Sequence, residues 1–103
     1  MVAATKQHVF DTIKQLQPCL LSLGVRRLGL FGSFVNSAPS ENSDVDLLIE
    51  FLPGRKDFTT LMTVGDLLEQ HLGRRVELVT PESLSRHFGD TITAEAEYVD
   101  LSA

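Results

Sequence analysis

Apolar residues recur along this chain with two periods, and the places where the period changes mark out its elements. Val9, Phe10, Ile13, Leu16 and Leu20 follow the spacing of one helix face, which predicts an amphipathic helix over residues near 5–22. Pro18 interrupts it, because proline lacks an N–H and crowds the preceding turn, so a kink or break is expected near Gln17. Gly24 suits the stop. Arg27 to Phe31 reads as a short apolar first strand, and Asp44 to Leu52, ended by Pro53-Gly54, as a second. Residues 33–43 between them are rich in Ser, Asn and Pro and form a connection with one helical turn after Ser33. Phe58, Leu61, Met62, Leu68 and Leu72 return to helical spacing, closed by Gly73. Arg75 to Thr80 is the third strand. A short helix is expected from Pro81, a residue suited to a first helical turn, and a last helix near Thr93 to Leu101.

This order, α-β-(short α)-β-α-β-α, implies an α+β fold: a small mixed three-stranded sheet flanked by helices. The second strand, its helix and the third strand make a βαβ unit, whose right-handed crossover sets those two strands parallel. If the first two strands are antiparallel neighbours, the end of the first, Gly32-Ser33, lies beside the start of the second, Asp44.

Composition narrows the partners. The 103 residues read as a single domain, 1–103, with 43% hydrophobic and 22% charged residues, an ordinary globular balance. The formal net charge is −5, and the basic residues cluster no further than the pairs Arg26-Arg27, Arg55-Lys56 and Arg74-Arg75. That speaks against stable nucleic-acid binding, which basic surface drives. No apolar stretch reaches a membrane span and no signal-peptide pattern opens the chain, so a cytoplasmic, non-membrane protein is expected. Cys19, alone among leucines, is expected as a small core residue; His8, His71 and His87 are scattered and read as surface or capping residues.

The chemistry concentrates in Gly32-Ser33 and Asp44-Val45-Asp46, ten residues apart. On a strand, Asp44 and Asp46 share a face, their Cα atoms about 6.6 Å apart. Carboxylates so placed can hold two divalent ions about 3.5–4 Å apart, as in-line attack on phosphorus requires. A Gly-Ser turn offers backbone N–H groups and a hydroxyl to a phosphate. Glu77 is a third acid, set opposite Val76 and Leu78 by strand alternation. It reads as a cation ligand or a general base, or as an exposed edge-strand acid beside Arg75. Likewise the two aspartates alone would fit a solvated strand start, and Ser33 a helix N-cap.

Taken together, Leu30-Phe31-Gly32-Ser33, Ser43-Asp44-Val45-Asp46-Leu47-Leu48 and Val76-Glu77-Leu78-Val79-Thr80-Pro81 resemble the minimal nucleotidyltransferase branch of the DNA polymerase beta superfamily. The resemblance runs from about Val9 to the tail, where Glu97-Tyr98-Val99 is similar to the family's closing helix. It implies that Gly32 and Ser33 hold nucleotide phosphates, that Asp44 and Asp46 bind two Mg²⁺, and that Glu77 takes the place of the third carboxylate. It also implies ATP as substrate and a helical HEPN-type toxin as partner, neutralised by transfer of AMP to a tyrosine. The chain departs from the family in two places. Phe34 stands where an Arg usually follows the Ser, which removes a cationic phosphate contact that Asn36, Ser37, Arg55 or Lys56 would have to replace. Glu77 stands where Asp is usual and reaches one methylene further. The missing Arg motivates a second reading, a non-catalytic subunit that masks its partner. A third is the catalytic half of a two-chain enzyme acting on a small molecule.

Overall fold

The computed structural model describes residues 5–36, 44–84 and 92–102. The N-terminal helix is divided where proline demands it. Helix α1, Lys6–Gln15, is capped by Thr5, whose Oγ1 accepts from the His8 N–H, and α2, Gln17–Ser22, resumes with Pro18 in its first turn. Gly24, at φ 90°, turns the chain into strand β1, Val25–Phe31, two residues earlier than the apolar run suggested. Helix α3, Ser33–Asn36, is the single helical turn expected after Ser33, begun one residue earlier. Strand β2 spans Val45–Phe51, leaving Asp44 just ahead of it. Helix α4, Phe58–Leu72, begins on Asp57, whose carboxylate accepts from the Thr59 and Thr60 N–H groups, and ends on Gly73 in the left-handed region at φ 68°. Strand β3, Val76–Val79, and a 3₁₀ turn, Pro81–Ser83, follow.

The sheet has four strands rather than three, in the order β3-β2-β1-β4. As expected, β1 and β2 are antiparallel and β2 and β3 parallel. The expected closing helix is corrected: after a helical turn at 92–95, Glu97–Asp100 forms β4, antiparallel to β1. The reason lies in β1. Gly29 stands opposite Tyr98, and a Cβ on Gly29 would come within 2.7 Å of the Tyr98 ring. The glycine therefore leaves a trough that the aromatic ring fills, while Val99 packs toward the core and Leu101 is fully buried. The Arg27 guanidinium stacks 4.0 Å from the Tyr98 ring centre, and Lys6 of α1 pairs with Glu97 at 3.0 Å. Those contacts outweigh the helix preference of the Ala- and Glu-rich stretch before it.

One face of the sheet is the core. Leu28 and Leu30 of β1 and Leu47 and Ile49 of β2 pack with Val9 and Ile13 of α1 and Val64, Leu68 and Leu72 of α4, all with zero exposure. Each such side chain contributes about 2 kcal/mol of burial. By strand alternation the other face carries Arg27, Gly29 and Phe31 of β1 opposite Glu50, Leu48 and Asp46 of β2. The reading of Cys19 as a core residue is corrected. Cys19 is exposed, because the helix turns about 100° per residue and Leu20 takes the inward position. Phe58 and Met62, one turn apart on α4, are 75% and 58% exposed, since Val64, Leu68 and Leu72 define the buried stripe. Among the described residues, no helix is long and apolar enough to cross a membrane.

Candidate active site

Sheet register decides where the acids stand. Asp46 pairs with Phe31 of β1 on one side and with Glu77 of β3 on the other. Leu47 points into the core, so Asp46 lies on the outer face, and Asp44 two residues earlier shares that side. On β3, Val76 and Leu78 pack against the core while Glu77 is exposed on the outer side. The alternation read from the sequence is therefore present. Glu77 is an exposed acid on an edge strand, as one of the two sequence readings had it, and it stands beside Asp46 in the register.

Gly32 closes the site from the β1 side. Its φ of 79° is a conformation that residues with a Cβ rarely adopt. A Cβ there would collide with Asp46 Oδ2 and stand 3.2 Å from Asp46 Cγ. The backbone of the turn thus lies directly against the carboxylate, which only glycine permits. The Gly32 carbonyl accepts from the Val35 N–H at 3.1 Å, closing the first turn of α3. Ser33 opens that helix and Asn36 ends it; Ser37 lies outside the described residues.

The electrostatics of the acids are unbalanced. The Asp46 carboxyl is raised from its ordinary 3.8 to about 6, first by burial, then by the charge of Glu77, a hydrogen bond shared with Glu77, and the charge of Asp44. A partly buried carboxylate with two other acids close by forms an anionic site that holds its charge at a cost. Hard oxygen donors of this kind suit Mg²⁺, whose charge would relieve the repulsion that raises Asp46. Among the described residues no three acids are already drawn into a closed ligand set. The donors fit the ion in kind.

Cationic candidates are distributed differently from what the sequence suggested. Arg55 donates to the Ser22 carbonyl at 2.8 Å and Lys56 pairs with Glu82 at 3.0 Å, both beyond the far end of β2. Neither replaces the missing Arg at the phosphate turn. Phe34 is 4% exposed and belongs to the core cluster. Arg75 is exposed, but Arg74 is partly buried, its guanidinium carbon 5.2 Å from the centre of the Phe34 ring. The reading of the Arg74-Arg75 pair as merely solvated holds for only one of the two. Phe31, opposite Asp46 on the outer face, also escaped the sequence reading; strand alternation from Leu30 would have placed it there. Two concavities of about 390 and 240 Å³ open at the other end of β2 and β3, around Phe51, Lys56 and Thr80. Neither is lined by Gly32, Asp44, Asp46 or Glu77.

Comparison with known proteins agrees with this geometry. The profile of the nucleotidyltransferase domain family matches residues 10–100. A Methanocaldococcus jannaschii chain assigned as a protein adenylyltransferase is 36% identical over 86% of this chain and 95% of its own length. The protein adenylyltransferase MntA of Thermococcus cleftensis is 41% identical over 74% of this chain and 76% of its own. Among solved structures, one assigned as a minimal nucleotidyltransferase superposes with a TM-score of 0.67 at 30% identity, covering 84% of this chain and 92% of that one. Two more distant structures share the fold. A toxin–antitoxin with AMP-PNP has a TM-score of 0.67 at 21% identity, over 85% of this chain and 69% of that one. The toxin–antitoxin MntA-HepT has a TM-score of 0.62 at 19% identity, over 91% and 70%. A Gly-Ser turn set against a carboxylate cluster, on this fold and with these relatives, makes the chain a member of the nucleotidyltransferase domain family, in its minimal branch, and a nucleotidyltransferase enzyme.

Proposed function

We propose that this chain is a Mg²⁺-dependent protein adenylyltransferase that moves AMP from ATP to a tyrosine hydroxyl of a helical HEPN-type partner and so acts as its antitoxin. The observation that carries the proposal is Asp46, held between Gly32 and Glu77 with its carboxyl raised to about 6 by burial and by neighbouring acids. Such a site is costly in a free protein and useful to one that binds cations and phosphate together. The relatives named protein adenylyltransferase and the toxin–antitoxin structures of the same fold support the choice of acceptor.

In this reading the N–H groups of the turn at Gly32 and Ser33, with Asn36 and Ser37 beyond, hold the phosphates of ATP, and Gly32 lets them approach Asp46. Asp44, Asp46 and Glu77 would hold two Mg²⁺, which supply charge neutralisation of the triphosphate and of departing pyrophosphate. The acceptor oxygen attacks the α-phosphorus, the bond from that phosphorus to the bridging oxygen breaks, and pyrophosphate leaves with the electron pair. Glu77, exposed at the edge strand, is the carboxylate an incoming hydroxyl meets first and takes up its proton. The chain's expected cytoplasmic location suits a partner of this kind.

Incubation with labelled ATP, Mg²⁺ and the purified HEPN partner should add AMP to the partner's mass. Labelling that survives the double change Asp44→Asn, Asp46→Asn sinks the mechanism. Glu77→Gln separates proton acceptor from ligand: loss of transfer with Mg²⁺ binding retained identifies the acceptor role.

A second reading, masking without catalysis, draws on the burial of Phe34, which gives the residue after Ser33 to packing rather than to phosphate. Neutralisation of the partner by the double Asn variant would favour it.

A further inference from the structure

We propose that Phe31 is the platform on which the base of the transferred nucleotide stacks, and that Ala96 keeps the space beside it open. The inference rests on the adenylyltransferase reading above and adds to it a seat for the nucleoside. Register sets three residues in a row across the outer face: Phe31 of β1, Asp46 of β2 and Glu77 of β3. Directly opposed side chains on one face have Cβ atoms about 5 Å apart, so the Phe31 ring rises beside the Asp46 carboxyl. Leu30 before it is fully buried in the core. Phe31 itself is half-buried and is not among the described apolar residues packed against that core. Further along the same face the cover is complete: Leu48, two residues after Asp46, is 1% exposed beside the trough at Gly29 that the Tyr98 ring fills. Aromatic surface is thus left part-open at the end of the face where the acids stand. On the β4 side its neighbour is small. One step on from the Leu30–Glu97 pair, the Ala96 side chain faces the same way, its Cβ 3.2 Å from where a Cβ on Gly29 would be.

The reaction has two aromatic groups to place, the base and the acceptor's ring. In-line displacement puts the attacking and leaving oxygens on opposite sides of the α-phosphorus. In the reading above, Glu77 receives the acceptor on the β3 side of Asp46, and the phosphate turn at Gly32 lies on the β1 side, directly after Phe31. Phe31 and Glu77 are two strand spacings apart, about 10 Å, with Asp46 between them. The acceptor therefore comes in away from the Phe31 ring, which is left to the nucleoside. Stacking holds a base by its flat face and not by its hydrogen-bonding edge, so this platform takes purines without choosing between them.

ATP and inorganic tripolyphosphate, which carries the phosphates without a base, are titrated with Mg²⁺ present into the wild-type chain, Phe31→Leu, Phe31→Tyr and Ala96→Leu. Phe31→Leu keeps the apolar bulk and loses the flat face; it should weaken ATP about tenfold and tripolyphosphate less than about twofold. Phe31→Tyr, which restores the ring, should recover most of the affinity for ATP. Ala96→Leu, which leaves Phe31 in place and fills the space beside it, should weaken ATP in the same selective way. If Phe31→Leu binds ATP within about twofold of wild type, or weakens ATP and tripolyphosphate equally, the ring carries no base. A raised KM for the acceptor protein with ATP affinity kept gives the ring to the acceptor and overturns the proposal. A wild-type chain that binds ATP no better than tripolyphosphate keeps the phosphate site and loses the platform. One that binds neither with Mg²⁺ overturns the adenylyltransferase reading itself.

Discussion

Two groups of charge stand on the outer face of the sheet, four residues or about 13 Å apart along β2, and they are built on opposite terms. At the far end, Glu50 accepts from Arg27 Nε at 2.6 Å and faces Arg26 at 4.0 Å, and the Arg27 guanidinium lies on Tyr98. Charge there is matched and fixes β4 onto β1. At the near end, Asp46 has Glu77 and Asp44 as neighbours and is raised to about 6 by burial and by them. The same strand thus carries a pair that stabilises the fold and a cluster that taxes it. Under the proposed function the difference separates structural from functional charge: the first brings its counter-ion in the chain, and the second leaves it to a ligand.

The largest way to break this contrast is Asp46→Asn. It should lower AMP transfer on the order of a thousandfold, measured as label incorporated into the partner. Next comes Gly32→Ala. A Cβ at φ 79° is strained and also strikes the Asp46 carboxylate, so a loss of about 2–3 kcal/mol in denaturant unfolding is expected, along with loss of transfer. At the matched end, Glu50→Gln should cost about 1 kcal/mol of stability and leave transfer within about twofold. A large fall in transfer there would end the division between the two groups.

The smallest effect is the most diagnostic. Because folding raises Asp46 from 3.8 to about 6, the folded chain keeps a proton that the unfolded chain has released across that window. Stability contributed by this group is full below about pH 4 and is lost as pH rises through about 6. After solvent screening the loss is on the order of 1 kcal/mol. Asp46→Asn lacks it, so without divalent ions at pH 7 the inactive variant should melt a few degrees higher than wild type. Mg²⁺ should close that gap by raising the wild type alone. A variant that melts lower across the whole pH range removes the idea that the site is held under repulsion.

Much of this was legible in local pattern. The Asp-x-Asp spacing and the alternation around Glu77 have a period of two, so a pleated strand leaves them one arrangement once Leu47 and Leu78 face the core. Pro18 marked the division of the first helix for covalent reasons that no tertiary context alters. What escaped were features set by distant contacts. Strand β4 exists because Gly29, some seventy residues earlier, makes room for Tyr98, while Ala and Glu near 94–97 argue locally for helix. Arg74 could be counted as a charge, but only the pairing of β2 with β3 brings it to Phe34. The site's acids were local information. Contacts between distant elements were not.

The four-residue length of β3 has a kinetic consequence. Slipping this strand by one position would turn Glu77 toward the core and Leu78 toward water. Correct docking of β3 therefore finishes the hydrophobic interior and sets Glu77 beside Asp46 in one event. Under the proposed function, a chain that has not completed its core lacks the full acid set, so newly made or partly opened molecules are expected to stay silent toward nucleotide. The appearance of transfer activity during refolding should then trace the locking of this one short edge.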